Sequence, residues 1–151
     1  MKKFIVKGPT KGIKGSVIVS GAKNSCLPLM ASSLLFKKNI TLRNVPFVKD
    51  VITMKNLLIA LGSKVQISEK YKTIKISNTK PHKLKVPYHL VSTMRAGVLT
   101  MGSLLGRYPN KEIKVAQGGG CALGIRDTSW HLEGFKSLGA EHSLEKGYVK
   151  I

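Results

Sequence analysis

The sequence has few acidic residues. Only 7 aspartates and glutamates stand against 26 lysines and arginines, which gives a formal net charge of +19 at pH 7. A surplus of this size is typical of nucleic-acid-binding proteins. The basic residues are spread along the whole chain, however, and no nucleic-acid-binding motif with interleaved aromatic residues is present. A lysine-rich composition accounts for the charge, so nucleic acid is not an expected partner. A basic nucleic-acid-binding or interaction domain without catalysis stays open as the alternative.

Cysteine is also scarce, and long apolar runs are absent. The two cysteines, Cys26 and Cys121, lie far apart in the sequence, which excludes a disulfide framework and favours a reducing, cytoplasmic location. No apolar run is long enough to cross a membrane, and the first residues do not resemble a signal peptide. The four histidines have no metal-ligand spacing. We therefore expect no membrane segment, no metal and no cofactor.

The sequence does contain an internal repeat. Residues 48–50 and the Leu-Gly pair at 61–62 match residues 125–127 and the Leu-Gly pair at 138–139, at a constant offset. Apolar spacing predicts that each copy contains a helix, a strand, a second helix and a strand hairpin. Both Leu-Gly pairs are predicted to end a helix. The predicted helices are 27–35, 54–61, 94–105 and 128–138, and the predicted strands are 16–20, 64–68, 73–77, 112–116 and 148–151.

Two motifs point to chemistry. The glycine-rich stretch 117–126 places Cys121 on a mobile loop, with Arg126 five residues further on. A guanidinium close to a thiol lowers the thiol pKa and attracts anions. The stretch Ser20–Asn24 predicts a strand-to-helix junction, where Lys23 and the helix N–H groups can bind an anion. The ordinary alternatives are a surface loop with an incidental cysteine and a plain helix start.

Together the motifs resemble the UDP-N-acetylglucosamine enolpyruvyl transferases. Gly21–Asn24 matches the Gly-Ala-Lys-Asn element of that family, Thr93–Ala96 matches its next element, and Gly119–Arg126 matches its cysteine loop. Similar sequence continues over 138–150, so the resemblance covers the whole chain. It implies an α/β (α+β) fold, namely an inside-out α/β barrel domain built from repeated βαβαββ units, of which two copies are present.

The resemblance also implies a domain organisation. Residues 1–20 would be a strand segment that pairs with a second domain, and residues 21–151 would be a partial first domain. The two repeat copies would occupy about 21–80 and 88–151. The chain would then be the N-terminal part of a longer enzyme, inactive alone, and it would need the missing C-terminal domain as its partner. An incomplete repeat array should leave apolar faces and strand edges exposed.

The implied reaction is transfer of the enolpyruvyl group of phosphoenolpyruvate to the 3′-hydroxyl of UDP-N-acetylglucosamine, with release of phosphate. In the family this is the first committed step of peptidoglycan synthesis and the target of fosfomycin. By resemblance, Cys121 is the proton donor and can form a covalent adduct with phosphoenolpyruvate. Lys23 and Asn24 bind phosphoenolpyruvate, and Arg95 and Arg126 contact phosphoenolpyruvate and the nucleotide sugar.

The sequence departs from the family pattern after the cysteine loop. Where the family has Pro-(Val/Ile)-Asp-Leu-His, the chain has residues 127–131, Asp-Thr-Ser-Trp-His, and only His131 matches. This stretch contacts the nucleotide sugar in the family, so recognition of uridine is the least supported of the implied properties. The family's catalytic aspartate and a further arginine belong to the second domain. A degenerate, non-catalytic piece of the transferase is therefore a third possibility.

Overall fold

The computed structural model describes residues 3–8, 11–80, 82–92, 94–116 and 128–151, and of Arg95 it describes the backbone alone. Within these ranges the chain forms two successive units, each with its own sheet. The predicted cysteine site at Cys121 and Arg126 lies outside the described residues.

The first unit combines two helices with a three-stranded sheet. Its sheet is antiparallel in the order β1-β3-β2, so Ile76 of the central strand lies opposite Ile40 and Val65. Both strands of the hairpin have the predicted bounds. The elements are α1 (Lys23–Ser32), which continues as a 3-10 turn (Ser33–Leu35), β1 (Ile40–Leu42), α2 (Lys49–Leu61), β2 (Lys64–Ser68) and β3 (Thr73–Ser77).

The second unit repeats this order and adds a strand before it. Its sheet has the order β4-β5-β7-β6, in which β4 and β5 are parallel and the other pairs antiparallel. The succession β4-α4-β5-α5-β6-β7 is the predicted βαβαββ unit. The elements are β4 (Lys85–Val86), α3 (Tyr88–Val91), a 3-10 turn (Arg95–Val98), α4 (Leu99–Arg107), β5 (Lys114–Ala116), α5 (Ser129–Ser137), β6 (Ser143–Glu145) and β7 (Tyr148–Lys150).

The two units end their second helices in the same way, as the repeat predicts. Gly62 follows α2 with φ of 108°, and Gly139 follows α5 with φ of 92°, a left-handed conformation that favours glycine. In each case the next N–H donates back into the last turn, from Ser63 to Leu58 O and from Ala140 to Phe135 O, at 2.9 and 3.0 Å. Both ends are thus glycine caps of the Schellman type.

One continuous core joins the two units. Helix α1 packs against α2 of its own unit and against α4 of the second unit. Leucine and methionine side chains on the inner faces of these helices lie in this core. The largest fully buried side chains of the three helices include Met30, Leu34, Met54, Leu57, Met101 and Leu104.

The structure corrects several predicted boundaries. Residues 16–20 form no strand in this structure, and they are exposed. Helix α1 begins at Lys23, four residues before the predicted start, so Pro28 lies in the second turn and not in the first. Leu35, the last residue of the predicted helix 27–35, is 46% exposed. The predicted helix 94–105 is divided into a 3-10 turn and α4.

Apolar faces are exposed, as expected for an incomplete repeat array. Helix α2 buries five apolar side chains, whereas its counterpart α5 buries Leu132 alone. Trp130 and Leu138 are 78% and 85% exposed, and within segment 3–20 the apolar residues of the described parts, 3–8 and 11–20, are also exposed. No helix among the described residues has the length and apolar character needed to cross a membrane.

Candidate functional site

The junction before α1 forms the described part of the candidate site. Lys23 and Asn24 are the first two residues of the helix, and Ala22 precedes them in an extended conformation without a side-chain cap. The N–H groups of Ser25 and Cys26 donate to Ala22 O, at 3.3 and 3.0 Å. The N–H groups of the first two residues have no acceptor within the helix, and no acidic residue occupies its first turn. The positive end of α1 is therefore available to an anion.

Lys23 lies at the N-terminus of α1, where a positive charge does not stabilise the helix. A positive side chain at a helix N-terminus is repelled by the helix dipole. The Lys23 ammonium is instead paired with the Asp50 carboxylate, with Nζ 2.8 Å from Oδ2. Asp50 lies in the first turn of α2, where an anion stabilises the helix. About half of the Lys23 side chain is exposed, so the ammonium remains accessible from solvent.

Asn24 presents free polar atoms beside this lysine. Its side chain is exposed, and it has no hydrogen-bond partner among the residues that the structure describes. Pro28, which has no N–H, also leaves the Asn24 carbonyl without its usual helical donor. The side-chain amide can therefore donate to a ligand oxygen at the same helix end.

The backbone of the junction is held by a neighbouring loop. The Gly21 N–H donates to Asn44 Oδ1 at 3.2 Å. A Cβ atom on residue 21 would overlap the backbone oxygen of Asn44, so only glycine fits at this approach. Asn44 itself adopts a positive φ of 55°, which asparagine tolerates better than most residues. The next residue, Val45, donates its N–H to Lys72 O at 2.9 Å and so ties the loop to the β2–β3 turn.

The other predicted site residues cannot be placed beside this junction. Cys121 and Arg126 fall within 117–127, outside the described residues, and the side chain of Arg95 is likewise not described. The described flanks of that stretch are Ala116 at the end of β5 and Thr128 before α5. Of the five predicted site residues, the structure thus places Lys23 and Asn24 together at the start of α1, and the roles of all five stay predictions.

The other cysteine, Cys26, has the properties of a core residue. Cys26 is 6% exposed, and burial raises the pKa of its thiol. A thiol that is buried and protonated is a poor nucleophile. No group of three or more candidate metal ligands occurs in the part of the chain that the structure describes.

A buried polar network was not predicted from the sequence. Ser63 Oγ donates to Asn78 Oδ1 at 2.6 Å, and Asn78 Nδ2 donates to Ser33 O at 2.6 Å. The His82 ring lies between Asn78 Oδ1, 3.1 Å from Nε2, and the Tyr108 hydroxyl, 3.1 Å from Nδ1. The Asn78 oxygen can only accept, so this contact requires the proton on Nε2. No sequence pattern links these dispersed residues.

Arg107 completes this network and connects the two units. It is on α4, yet its Nη1 donates to Leu34 O at 2.9 Å and to Phe36 O at 2.7 Å. Its Nη2 donates to Asn78 O at 3.1 Å. Burial, and secondly the charge of Arg107, lower the pKa of His82. This arginine thus binds backbone carbonyls and has a structural role.

Comparison with known proteins gives concordant matches. A family model described as EPSP synthase (3-phosphoshikimate 1-carboxyvinyltransferase) matches residues 7–151. UDP-N-acetylglucosamine 1-carboxyvinyltransferases from Magnetococcus marinus and Hydrogenovibrio crunogenus are 44% and 43% identical to the chain, over 100% and 99% of its length. The chain spans only 35% of each of these relatives.

A solved structure is similar as well. The enolpyruvyl transferase NikO from Streptomyces tendae matches with a TM-score of 0.73, covering 91% of this chain and 29% of that protein. The sequence identity is 16%, so this likeness shows the fold alone. The described elements therefore form part of an enolpyruvyl-transferase fold of the α/β class, which confirms the predicted fold class.

Proposed function

Since the chain belongs to the EPSP synthase family, we propose that it is the N-terminal part of a UDP-N-acetylglucosamine 1-carboxyvinyltransferase. The whole enzyme would transfer the enolpyruvyl group of phosphoenolpyruvate to the 3′-hydroxyl of UDP-N-acetylglucosamine and release phosphate. The structural observation that supports this function is the uncapped, positive start of α1 with Lys23 and Asn24 exposed on it. Phosphoenolpyruvate carries a phosphate and a carboxylate, both of which such a site can bind.

The reaction is an addition followed by an elimination. The sugar hydroxyl loses its proton to a general base as its oxygen bonds to the central carbon of phosphoenolpyruvate, while the methylene carbon accepts a proton and becomes a methyl group. In the second step the methyl group loses a proton, the carbon–oxygen bond to phosphate breaks, and the enol double bond forms again. The chain's cations would stabilise the negative charge of phosphoenolpyruvate throughout.

Each site residue has a role in this proposal. Lys23 and Asn24 bind the anionic groups of phosphoenolpyruvate at the start of α1. Cys121 donates the proton to the methylene carbon and can also add covalently to phosphoenolpyruvate. Arg126 and Arg95 supply planar, bidentate contacts to phosphoenolpyruvate and the nucleotide sugar. A thiol with a pKa near ~8.5 is protonated at neutral pH and can serve as this acid.

The proposal includes a second polypeptide region as an obligatory partner. The exposed apolar residues of segment 3–20 and the exposed face of α5 are surfaces that the rest of such an enzyme would cover. Residues 1–20 would pair with the second domain, and residues 21–151 would form part of the first. We place the enzyme in the cytoplasm, where the two cysteines of this chain would stay reduced. Family membership favours this function over a nucleic-acid-binding domain.

Reconstitution tests the proposal. The chain is mixed with the separately produced remainder of the Magnetococcus marinus relative, and phosphate release is followed with both substrates present. We expect release that requires both polypeptides and both substrates. Robust activity of the chain alone would contradict the proposal that it is only a part of the enzyme. A stable complex of the two polypeptides without any phosphate release would contradict the transferase function.

A further inference from the structure

Asp50 is the acidic residue beside the proposed phosphoenolpyruvate site. Its Oδ2 atom lies 2.8 Å from Lys23 Nζ, across the contact between α1 and α2. The two residues are 27 positions apart in sequence, so this pair depends on helix packing and not on local spacing. The carboxylate therefore occupies one side of the same ammonium that an incoming phosphate or carboxylate has to contact.

The position of Asp50 is fixed from two directions. It is held by the first turn of α2, whose dipole favours an anion there, and α2 is anchored in the core by Met54 and Leu57. The loop that precedes α2 is tied to the α1 junction through Asn44 and to the β2–β3 turn through Val45. The carboxylate is thus part of the framework that holds the junction.

We propose that Asp50 is a resident counter-ion of the Lys23 site, which competes with the anionic substrate and so sets the affinity of the site. The inference rests on the proposed function, because it assumes that Lys23 binds an anion. An incoming anion gains the full attraction of Lys23 only after weakening the Lys23–Asp50 pair. Removing that charge should therefore tighten anion binding.

The expected effect is modest because both side chains are partly exposed. The attraction within an exposed ion pair changes an equilibrium constant by a factor of about 1.4 to 5. We therefore expect Asp50→Asn to tighten the apparent Kd for phosphoenolpyruvate about two- to fivefold. Asp50→Glu retains the charge and should bind like the parent chain. A merely structural role of Asp50 predicts the opposite sign, because loosening the junction would weaken binding.

The test is a titration with phosphoenolpyruvate of the full 151-residue chain bound to the remainder of the Magnetococcus marinus relative, followed by NMR at the amides of Gly21 and Asn24 of the chain. Four variants are compared with the parent: Asp50→Asn, Asp50→Glu, Lys23→Gln and the double variant Lys23→Gln/Asp50→Asn. We expect tighter binding in Asp50→Asn, and equal, weak binding in Lys23→Gln and the double variant.

The outcomes separate the two proposals. If binding depends on Lys23 but Asp50→Asn binds equally or more weakly than the parent, the counter-ion role is wrong while the site stands. If Asp50→Asn tightens binding equally with and without Lys23, its effect is general repulsion and the competition is wrong. If Lys23→Gln leaves the shifts of both amides unchanged, or the parent shows no shifts, the assignment of Lys23 to phosphoenolpyruvate fails and the counter-ion role fails with it.

Discussion

Arg107 is expected to hold the two repeat units together. Its guanidinium, on α4 of the second unit, donates to the backbone oxygens of Leu34, Phe36 and Asn78 in or directly after elements of the first unit. No other side chain can reproduce this set, because only a guanidinium presents several donors in a rigid fork. Replacing it with methionine keeps much of the apolar stem and removes all three hydrogen bonds.

The magnitude follows from the exposure of the three acceptors. A hydrogen bond to a charged group contributes about 1.5–3 kcal/mol, and a buried carbonyl left without a donor costs about 1–3 kcal/mol. The contact to Phe36 O is exposed, so water can replace it, whereas the contacts to Leu34 O and Asn78 O are partly buried. We therefore expect Arg107→Met to lower the free energy of unfolding by about 2–4 kcal/mol. Arg107→Lys, which can reach only part of the set, should lose about 1–3 kcal/mol.

Urea unfolding followed by circular dichroism at 222 nm measures this loss. Arg43→Lys is the matched control, because Arg43 is exposed, and it should change the free energy of unfolding by less than about 0.5 kcal/mol. The slope with urea should stay constant, so that the change reflects stability alone. If Arg107→Lys and Arg43→Lys were equally stable, the guanidinium would not connect the two units and this account of the core would be wrong.

Three further predictions concern a buried histidine, the cysteines and the site junction. Burial and the neighbouring arginine lower the pKa of His82 in the folded chain, so the unfolded chain protonates this histidine at a higher pH than the folded chain does. Stability should therefore fall as the pH drops below about 6.5. His82→Gln should abolish this part of the pH dependence of the urea midpoint, measured from pH 7.5 to 5. Cys26 should resist alkylation by iodoacetamide until urea unfolds the chain, whereas Cys121 should react first. Peptide mass spectrometry measures the labelling of each cysteine, and equal labelling of both in the folded chain would contradict the prediction. Gly21→Ala should cost about 1–3 kcal/mol by overlap with the adjacent loop, whereas Gly12→Ala, in open space, should be neutral by the same urea assay.

Much of the fold could be predicted because local signals agree with the tertiary structure. The β2–β3 hairpin has the predicted bounds, and Gly62 and Gly139 end their helices as the repeat indicates. The start of α1 was predicted four residues late, because the apolar stripe begins only where the helix becomes buried. The strand predicted at 16–20 is wrong for this structure, since β propensity forms no strand without a partner to accept its hydrogen bonds.

The site was only partly predictable, for a physical reason. Lys23 and Asn24 belong to a contiguous motif, so their joint position at the start of α1 follows from sequence. The Lys23–Asp50 pair arises from packing of α1 against α2, and the His82 network arises from contacts between the two units. Contacts between residues so far apart in the chain produce no recognisable spacing pattern in the sequence. The roles of all five site residues, Lys23, Asn24, Arg95, Cys121 and Arg126, stay predictions.

The central claim is that Lys23 binds phosphoenolpyruvate for enolpyruvyl transfer. The most direct test is the rate at which the reconstituted enzyme forms enolpyruvyl-UDP-N-acetylglucosamine, detected by mass spectrometry. Lys23→Gln is compared with the matched control Lys64→Gln, which changes an exposed lysine on β2. We expect Lys23→Gln to lower kcat/KM by about 100-fold or more, as for loss of a charge-stabilising group, and Lys64→Gln to stay within about twofold of the parent. Equal rates for the two variants would contradict the claim.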